Sequence, residues 1–457
     1  MNLPLTGPHT ALDRWVPLGL AFYFGLHLIS RVLVSPSLEL DEAEQLLHLQ
    51  ALALGYGFQP PLYTWIQALV FTVTGPSVFG LALLKAVLLW LTWWTVYRTA
   101  RFFYEGKDAL AIGLSLALFP QYLWESQRDL THTVLLVACV ALFWLVLLGV
   151  RALPRAGLTA LALGALAGAS ILAKYSAGLW LVIVVAAIAL AGGPLRQWLQ
   201  VRTLAVVAVV AALVVLPHAV WLSQNMHEVA TPIQAKLGMD SDHVRDYGVA
   251  VLSLVQALAG FIGFWLFITL MAWGLSAKAP NAPIPHAQIP SRFWVAYLLV
   301  FLAALLGMIV FADASHFKDR WMQPFLLILP LAFAQLVYLN GLPRALRLAW
   351  TGSALVLMLL ALALMPLRTV LGTQTGELSR LAIPYEKLAQ ALKQDYPEVR
   401  TLVVPQGLVA GNLALYAKVN NWQVRVEGGE GLEQNPLHSK VLWVFQEQPS
   451  RGPAAAP

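Results

Sequence analysis

Four carboxylates stand close together in one short stretch of this sequence, a pattern that could support acid–base chemistry. Glu39, Asp41, Glu42 and Glu44 lie between two very apolar runs, and no Lys or Arg is nearer than Arg31. A partly desolvated cluster of like charges raises the pKa of some of its members, which suits a general base. We therefore predict that Asp41, with Glu42 beside it, takes a proton from an attacking hydroxyl group.

The same residues also fit a structural role. Asp41 and Glu44 have the Asp-x-x-Glu spacing of a capping box, in which side chains satisfy amide groups at the start of a helix. The pattern from 41 to 54 predicts a short helix on the membrane surface, ended by Gly55-Tyr56-Gly57. Capping and catalysis remain compatible, because one carboxylate could cap the helix while another reacts.

Basic and polar side chains elsewhere interrupt apolar sequence, and an anionic substrate would explain them. Lys85 sits inside an apolar run, where a charge is costly unless it faces a cavity, pairs or extends to the interface. Arg128 binds an anion or pairs with Glu125 or Asp129, and both interpretations stay open. The remaining candidates also have structural alternatives. Gln59 would enter a rigid Pro-Pro turn, Lys174 would be an ordinary turn lysine, and the segment from His316 to Arg320 would be a solvated surface turn. The substrate-binding candidates are Gln59, Tyr63, Lys85, Arg128, Lys174, His316, Lys318 and Arg320.

The composition places these residues in a membrane protein. The chain has 457 residues, of which 59% are hydrophobic and 11% charged, whereas soluble domains average about 25% charged residues. It also contains 17 Trp, a residue that favours membrane–water interfaces. The net charge of +6 comes from basic residues spread between apolar runs, so we expect no nucleic-acid partner. The single Cys139 excludes a disulfide framework.

The hydropathy pattern predicts an α-helical polytopic membrane protein. A spanning helix needs about 20 mostly apolar residues. Lys and Arg concentrate in alternate loops, and the loop at 35–76 holds none, so the N-terminus is expected to be cytoplasmic and the acidic loop external. With eleven spans the C-terminus is external too. The candidate spans are 15–34, 77–98, 108–124, 131–150, 156–173, 175–192, 203–222, 249–274, 293–312, 321–340 and 345–366.

The hydropathy falls after Pro366, which divides the chain into two predicted domains. Residues 1–366 form the transmembrane domain, and 367–457 form a small external α/β domain that ends in a flexible tail. A helix is expected near 385–393, and a Pro-rich cytoplasmic linker at 279–290. The expected strands are 401–404, 422–426 and 440–445. No histidine spacing indicates a metal site, so the sequence identifies no cofactor with certainty, and a divalent metal ion stays open.

Several of these segments together resemble a known family. They are Leu40-Asp41-Glu42-Ala43-Glu44, Gln59-Pro60-Pro61-Leu62-Tyr63, Ala173-Lys174-Tyr175 and His316-Phe317-Lys318-Asp319-Arg320-Trp321. The pattern resembles the C-type membrane glycosyltransferases (GT-C fold), and within them the protein O-mannosyltransferase and aminoarabinose transferase group (glycosyltransferase family 39-like). The likeness covers roughly residues 15–340. Many relatives carry a His where this sequence has Gln59. Many also carry an Asp near the start of the fourth helix, and either Asp129 or His132 would occupy that position in this sequence.

The resemblance implies an enzyme that transfers a sugar from a polyprenyl-phosphate-linked donor to a lipid or protein acceptor. The reaction would take place on the periplasmic face of a bacterial inner membrane, among membrane lipids, as a single inverting displacement. The family's loop acid falls on Asp41, with Glu42 beside it, and a lysine that binds the lipid phosphate falls on Lys85. Which sugar and which acceptor are used stays open.

Two other classes of protein would use similar apolar spans. A lipid or glycolipid transporter would place charges near the bilayer midplane between internal repeats. In this sequence the charges concentrate at one face and no repeat is visible, which favours the transferase. An inactive scaffold relative would not need Asp41 or Glu42.

Overall fold

The computed structural model describes residues 11–149, 156–239, 246–274, 289–375, 379–428 and 441–444. The linker expected at 279–290 lies outside these ranges except at its last two residues, and the expected C-terminal tail lies outside them as well.

The described chain is mostly helical, with one small sheet. The helices are α1 (Ala11–Val34), α2 (Leu40–His48), α3 (Leu62–Thr74), α4 (Val78–Ala100), α5 (Gly106–Leu114), α6 (Ser126–Arg128), α7 (His132–Leu148), α8 (Ala156–Ala173), α9 (Ser176–Ala191), α10 (Val201–Gln224), α11 (Met226–Leu237), α12 (Tyr247–Gly274), α13 (Ser291–Phe311), α14 (Gln323–Leu326), α15 (Leu329–Val337), α16 (Arg344–Thr375), α17 (Tyr385–Asp395) and α18 (Gly407–Val419). The strands are β1 (Thr401–Val404), β2 (Arg425–Gly428) and β3 (Val441–Trp443).

Among the described residues, six helices are long and apolar enough to cross a membrane: α1, α4, α10, α12, α13 and α16. A seventh span would be the bent pair formed by Asp319–Leu326 and Leu329–Val337, whose axes differ by 55°. Shorter apolar helices include α3, α7, α8 and α9. The prediction of a polytopic helical membrane protein is therefore confirmed, while the number of eleven spans stays a prediction.

Two of the expected spans are not continuous helices. The span expected at 108–124 consists of α5, a 3-10 turn and a π segment, Gln121–Glu125, that follows Pro120. The span expected at 321–340 breaks between α14 and α15, and Pro330 stands in the first turn of α15. Proline lacks the amide hydrogen that continues a helix, so both breaks occur where the sequence carries one. π segments often mark functional sites.

The described residues divide into two compact units. The first contains the described parts of Met1–Ser30, Ala53–Ile66 and Leu83–Met365, and it holds most of the apolar helices. The second contains the described parts of Arg31–Leu52, Gln67–Ala82 and Pro366–Pro457. The acidic stretch thus folds in one unit with the small C-terminal sheet.

The second unit is an α/β fold. Its sheet has the order β2-β1-β3 with both pairs parallel, and Leu402 and Val404 of the central strand are fully buried. The expected helix near 385–393 is confirmed as α17, and the expected strand at 401–404 is β1. The sequence did not predict α18, because Gly407–Val419 lacks a polar face and contains two glycines. α2 packs against α18, with Ala43 and Leu46 completely buried.

Candidate active site

The acidic stretch forms helix α2, but its capping box uses a different pair of residues from the one expected. The helix begins at Leu40 with Glu39 as the N-cap, and the Glu39 amide donates to Oε2 of Glu42 at 3.0 Å. The predicted capping box of Asp41 and Glu44 is wrong, because the third helical position falls on Glu42. Asp41 lies in the first turn and is partly exposed, so it is not the capping residue.

α2 also ends earlier than the sequence indicates, at His48 instead of near Gly55. The reason lies in Gln50, two residues after this end, whose side chain both donates a hydrogen bond to strand β2 and accepts one from it. Its Nε2 donates to the Val426 carbonyl at 2.7 Å, and the Val426 amide donates to its Oε1 at 2.9 Å. The chain is thereby tied to the sheet directly after the helix. Burial lowers the pKa of His48 to about 4, so this residue is neutral at pH 7.

Glu42 is engaged in a buried ion pair. Arg31 approaches it with two nitrogens, Nη2 to Oε2 at 2.6 Å and Nε to Oε1 at 3.4 Å. The same guanidinium donates to the carbonyls of Ser35 and Ser37 at 2.9 and 2.7 Å. The Glu42 side chain is 1% exposed. Both of its oxygens are therefore engaged by Arg31, which also bonds to the preceding turn.

Glu39 is held by two arginines from the C-terminal part of the chain. Its Oε1 lies 3.2 Å from Nη2 of Arg368, and its Oε2 lies 3.7 Å from Nη1 of Arg380. The carboxylate is 4% exposed, whereas the two arginine side chains are 40% and 48% exposed. Two of the four predicted carboxylates are thus neutralised by basic residues, while Asp41 and Glu44 are partly exposed.

The position of α2 depends on very close packing with α18. A Cβ atom added to Gly411 would lie 2.2 Å from the carbonyl oxygen of Ala43 and 2.5 Å from its Cα. One residue later, the fully buried Asn412 accepts the amide of Leu38 through Oδ1 at 2.9 Å. Only glycine permits this approach of two backbones, so α18 determines where the first turn of α2 lies.

The Pro-Pro segment belongs to the first unit and forms a tight turn. The amides and carbonyls of Tyr56 and Gln59 bond to each other at 3.0 and 3.2 Å, and Gly57 between them has a φ of +54°. α3 follows directly after Pro61. Tyr63 in its first turn is 1% exposed, and its ring centroid lies 5.4 Å from that of His132.

Three more of the candidate residues lie in the first unit. Lys174 donates to the hydroxyl of Thr133 at 2.7 Å, one residue after His132. Arg128 pairs with Glu125 at 3.1 Å, which is the local alternative that the sequence left open. Lys85 lies in the interior of α4 and is 4% exposed.

The last candidates lie in the turn before the bent helix pair. His316 and Lys318 are exposed and Arg320 is partly exposed. Asp319 between them accepts a hydrogen bond from Nε2 of Gln121 at 2.7 Å, and the same amide donates to the Gly260 carbonyl at 3.1 Å. The π segment that carries Gln121 thus anchors this turn. Within the described ranges no group of three or more His, Cys, Asp or Glu could hold a metal ion.

Comparison with known proteins gives this architecture a family. Residues 58–221 match the family described as dolichyl-phosphate-mannose-protein mannosyltransferase. Over 407 residues the chain is 32% identical to the lipopolysaccharide core galacturonosyltransferase RgtB of Rhizobium johnstonii, covering 87% of this chain and 80% of RgtB. The chain belongs to this glycosyltransferase family. RgtA of the same organism, also a lipopolysaccharide core galacturonosyltransferase, is 31% identical over 403 residues, covering 87% of this chain and 79% of RgtA.

Solved structures agree with this family at the level of the fold. The crystal structure of ArnT from Cupriavidus metallidurans in the apo state has a TM-score of 0.57 at 16% identity, covering 92% of this chain and 90% of ArnT. The structure of ArnT bound to undecaprenyl phosphate gives the same TM-score at 15% identity. The predicted GT-C fold and the predicted class of enzyme, a membrane glycosyltransferase, are confirmed.

Several residues that hold α2 or the segment before the Pro-Pro turn in place were not predicted from the sequence. They are Arg31, Arg368, Arg380, Gly411, Asn412 and His218. Arg368 and Asn412 act on residues 329 and 374 positions away, and no local pattern predicts such contacts. A basic residue at Arg31, next to an otherwise acidic stretch, was the one signal available.

Proposed function

We propose that this glycosyltransferase transfers a uronic acid from a polyprenyl-phosphate-linked donor to a sugar hydroxyl of a lipid-linked acceptor of the lipopolysaccharide core type. The similarity to RgtB and RgtA, both lipopolysaccharide core galacturonosyltransferases, carries this proposal. The fold it shares with ArnT, which was solved with undecaprenyl phosphate, supports the class of donor. We place the reaction on the periplasmic side of the bacterial inner membrane, with the N-terminus cytoplasmic and residues 367–457 periplasmic.

In the proposed reaction Asp41 is the catalytic base. Its carboxylate accepts the proton of the acceptor hydroxyl while the hydroxyl oxygen forms a bond to the anomeric carbon of the donor. The bond from that carbon to the phosphate oxygen breaks, and the polyprenyl phosphate leaves with the electron pair. Attack opposite to the leaving group inverts the anomeric carbon. General-base catalysis of this kind contributes about 10²–10⁴-fold to the rate.

The packing of α2 supports Asp41 over its neighbour for this role. Both oxygens of Glu42 are occupied by Arg31 and by the Glu39 amide, in a side chain that is 1% exposed. A carboxylate held in this way is already committed to hydrogen bonds and is poorly placed to accept a proton from substrate. Asp41 projects from the same first turn and is partly exposed. We therefore assign Glu42 a positioning role.

A polyprenyl-phosphate uronic acid carries two anionic centres, the phosphate and the sugar carboxylate, and basic side chains stabilise both. We propose Lys85 for the lipid phosphate, as the family resemblance implies. The other proposed substrate-binding residues are Gln59, Tyr63, Arg128, Lys174, His316, Lys318 and Arg320.

A donor and acceptor panel tests this proposal. The full-length protein in membranes is given polyprenyl-phosphate-linked uronosyl, mannosyl and aminoarabinosyl donors, each with a lipopolysaccharide core acceptor or a peptide acceptor. We expect transfer from the uronosyl donor to the glycolipid, with an inverted linkage in the product. Transfer from a nucleotide sugar without any polyprenyl phosphate would contradict the donor class. Transfer to the peptide alone would contradict the acceptor class.

A further inference from the structure

The turn between α8 and α9 reaches both ends of the segment that runs from Leu54 to Tyr63. At one end, Lys174 bonds to the hydroxyl of Thr133, the residue after His132, whose ring packs on Tyr63. At the other end, the neighbouring Tyr175 bonds to a histidine, and that histidine bonds to the Leu54 carbonyl. Two adjacent residues of one turn therefore act on the same substrate-binding segment from two directions.

The histidine that makes this second connection is His218 of α10, which is 1% exposed. Its Nδ1 lies 2.6 Å from the Leu54 carbonyl oxygen, and its Nε2 lies 3.0 Å from the Tyr175 hydroxyl. A carbonyl oxygen only accepts, so Nδ1 must carry the hydrogen. In the neutral ring Nε2 is then the acceptor, and the Tyr175 hydroxyl donates to it. The tautomer of His218 follows from these two partners.

Ring packing holds His218 rigidly in this orientation. Tyr175 stacks on one face, with centroids 5.8 Å apart and planes 23° apart, and Trp221 stacks at 5.6 Å and 16°. The indole of Trp221 also lies directly on the backbone of Gly55, where an added Cβ would be 2.2 Å from the ring. Residues 54 and 55 are thus fixed by one hydrogen bond and by one aromatic surface.

The same segment is tied at further points. The indole nitrogen of Trp65 donates to the Ala53 carbonyl at 2.8 Å, and the ammonium of Lys236 lies 3.4 Å from the ring centroid of Phe58. These contacts lie on either side of Tyr56 and within the turn that it forms with Gln59. Leu54, two residues before the turn, is one of the points at which the segment is held.

We infer that Tyr175 and His218 form a positioning pair that orients the Tyr56–Gln59 turn, and through it Gln59 and Tyr63, for substrate binding. The inference rests on the proposed function, because it needs Gln59 and Tyr63 to contact substrate. Neither Tyr175 nor His218 has to touch substrate itself. Their effect is to set the geometry of the turn before substrate arrives.

The test compares four variants of the full-length protein in detergent or nanodiscs, without substrate. Tyr175→Phe removes the donor to Nε2, and His218→Ala removes the whole connection. His218→Asn is the conservative variant, because its side-chain amide can still donate to the Leu54 carbonyl. Tyr297→Phe is the matched control, since it deletes another buried tyrosine bond, to the Phe325 carbonyl at 2.7 Å.

Amide hydrogen exchange is measured at Ala53, Tyr56 and Gln59, whose amides donate to groups within the segment. Losing one hydrogen bond corresponds to an increase of about 2- to 10-fold in exchange at these amides. We expect it in Tyr175→Phe, a larger increase in His218→Ala, a smaller one in His218→Asn and none in Tyr297→Phe. Unchanged exchange in Tyr175→Phe and His218→Ala overturns the inference, whatever the enzyme transfers.

Kinetics with the best donor of the panel then separate positioning from general structural damage. We expect Tyr175→Phe to raise KM several-fold while kcat changes by less than about 2-fold, and His218→Asn to recover most of the loss seen in His218→Ala. Equal losses in Tyr297→Phe overturn the inference. If exchange changes as expected but the wild-type protein transfers no sugar, the proposed function fails and the positioning of the turn stands.

Discussion

Replacing Gly411 with Ala tests how the position of α2 depends on α18. The added Cβ would lie 2.2 Å from the carbonyl oxygen of Ala43, 2.4 Å from its carbonyl carbon and 2.5 Å from its Cα. Cβ contacts in proteins stay beyond about 3 Å, so the two backbones must separate by roughly 1 Å at this point. No side-chain rotation can relieve the contact, because all three atoms are main chain.

Two effects of different size follow from this displacement. Overpacking of a well-packed core typically costs about 1–3 kcal/mol in the free energy of unfolding. The displaced residue is Ala43, two positions after Asp41 in the same helix. A catalytic group misplaced by about 1 Å can lose on the order of 10²-fold in rate. We therefore expect Gly411→Ala to fold with a lowered Tm and to lose about 100-fold in kcat.

The matched control is Gly407→Ala at the start of the same helix. A Cβ added there meets nothing within 4 Å, so this variant should keep both its Tm and its activity. The assay combines thermal unfolding in detergent with sugar transfer in membranes, using equal amounts of folded protein. Wild-type Tm and transfer in Gly411→Ala would refute the packing argument.

The remaining predictions concern the charged groups around α2. Arg31→Ala removes the bidentate partner of the buried Glu42 carboxylate, a change that costs about 3–5 kcal/mol in buried ion pairs, so its unfolding midpoint in denaturant should fall well below that of wild type. Arg31→Lys should recover only part of the loss, because lysine cannot bond with a planar fork, and equal stability of all three proteins would contradict the account. The third prediction concerns His48, whose pKa is lowered to about 4 in the folded protein, against about 6.5 when unfolded. The unfolded chain binds the proton first as the pH falls, so stability is lost between about pH 6.5 and 4. His48→Gln should show a smaller fall in Tm over this pH range, and a parallel fall in both proteins would show that His48 does not contribute.

The acidic stretch and the membrane class could be predicted from the sequence because both are local properties. Hydropathy needs only a window of about 20 residues, and the run of carboxylates from Glu39 to Glu44 is visible directly. Strand β1 was also predicted at its observed bounds, because a short apolar β-branched run is typical of a buried parallel strand. These features do not depend on residues far along the chain.

Other features could not be predicted from the sequence, most of them because they depend on contacts between residues that are separated along the chain. The capping pair is determined by the residue at which α2 begins. The buried hydrogen bond from the Leu38 amide to Asn412 of α18 holds the chain two residues before that start. The buried ion pair of Glu42 involves Arg31, eleven residues earlier. α18 itself was missed because both faces of Gly407–Val419 are apolar, which reflects burial rather than helical periodicity.

The proposed reaction depends most on Asp41 as the general base. The most direct measurement is kcat for sugar transfer by Asp41→Asn, beside Glu44→Gln as a control that changes another partly exposed carboxylate of the same helix. We predict that Asp41→Asn keeps the wild-type Tm and donor binding but loses about 10²–10⁴-fold in kcat, while Glu44→Gln stays within a few-fold of wild type. Near-wild-type transfer by Asp41→Asn, or equal losses in both variants, would contradict the claim.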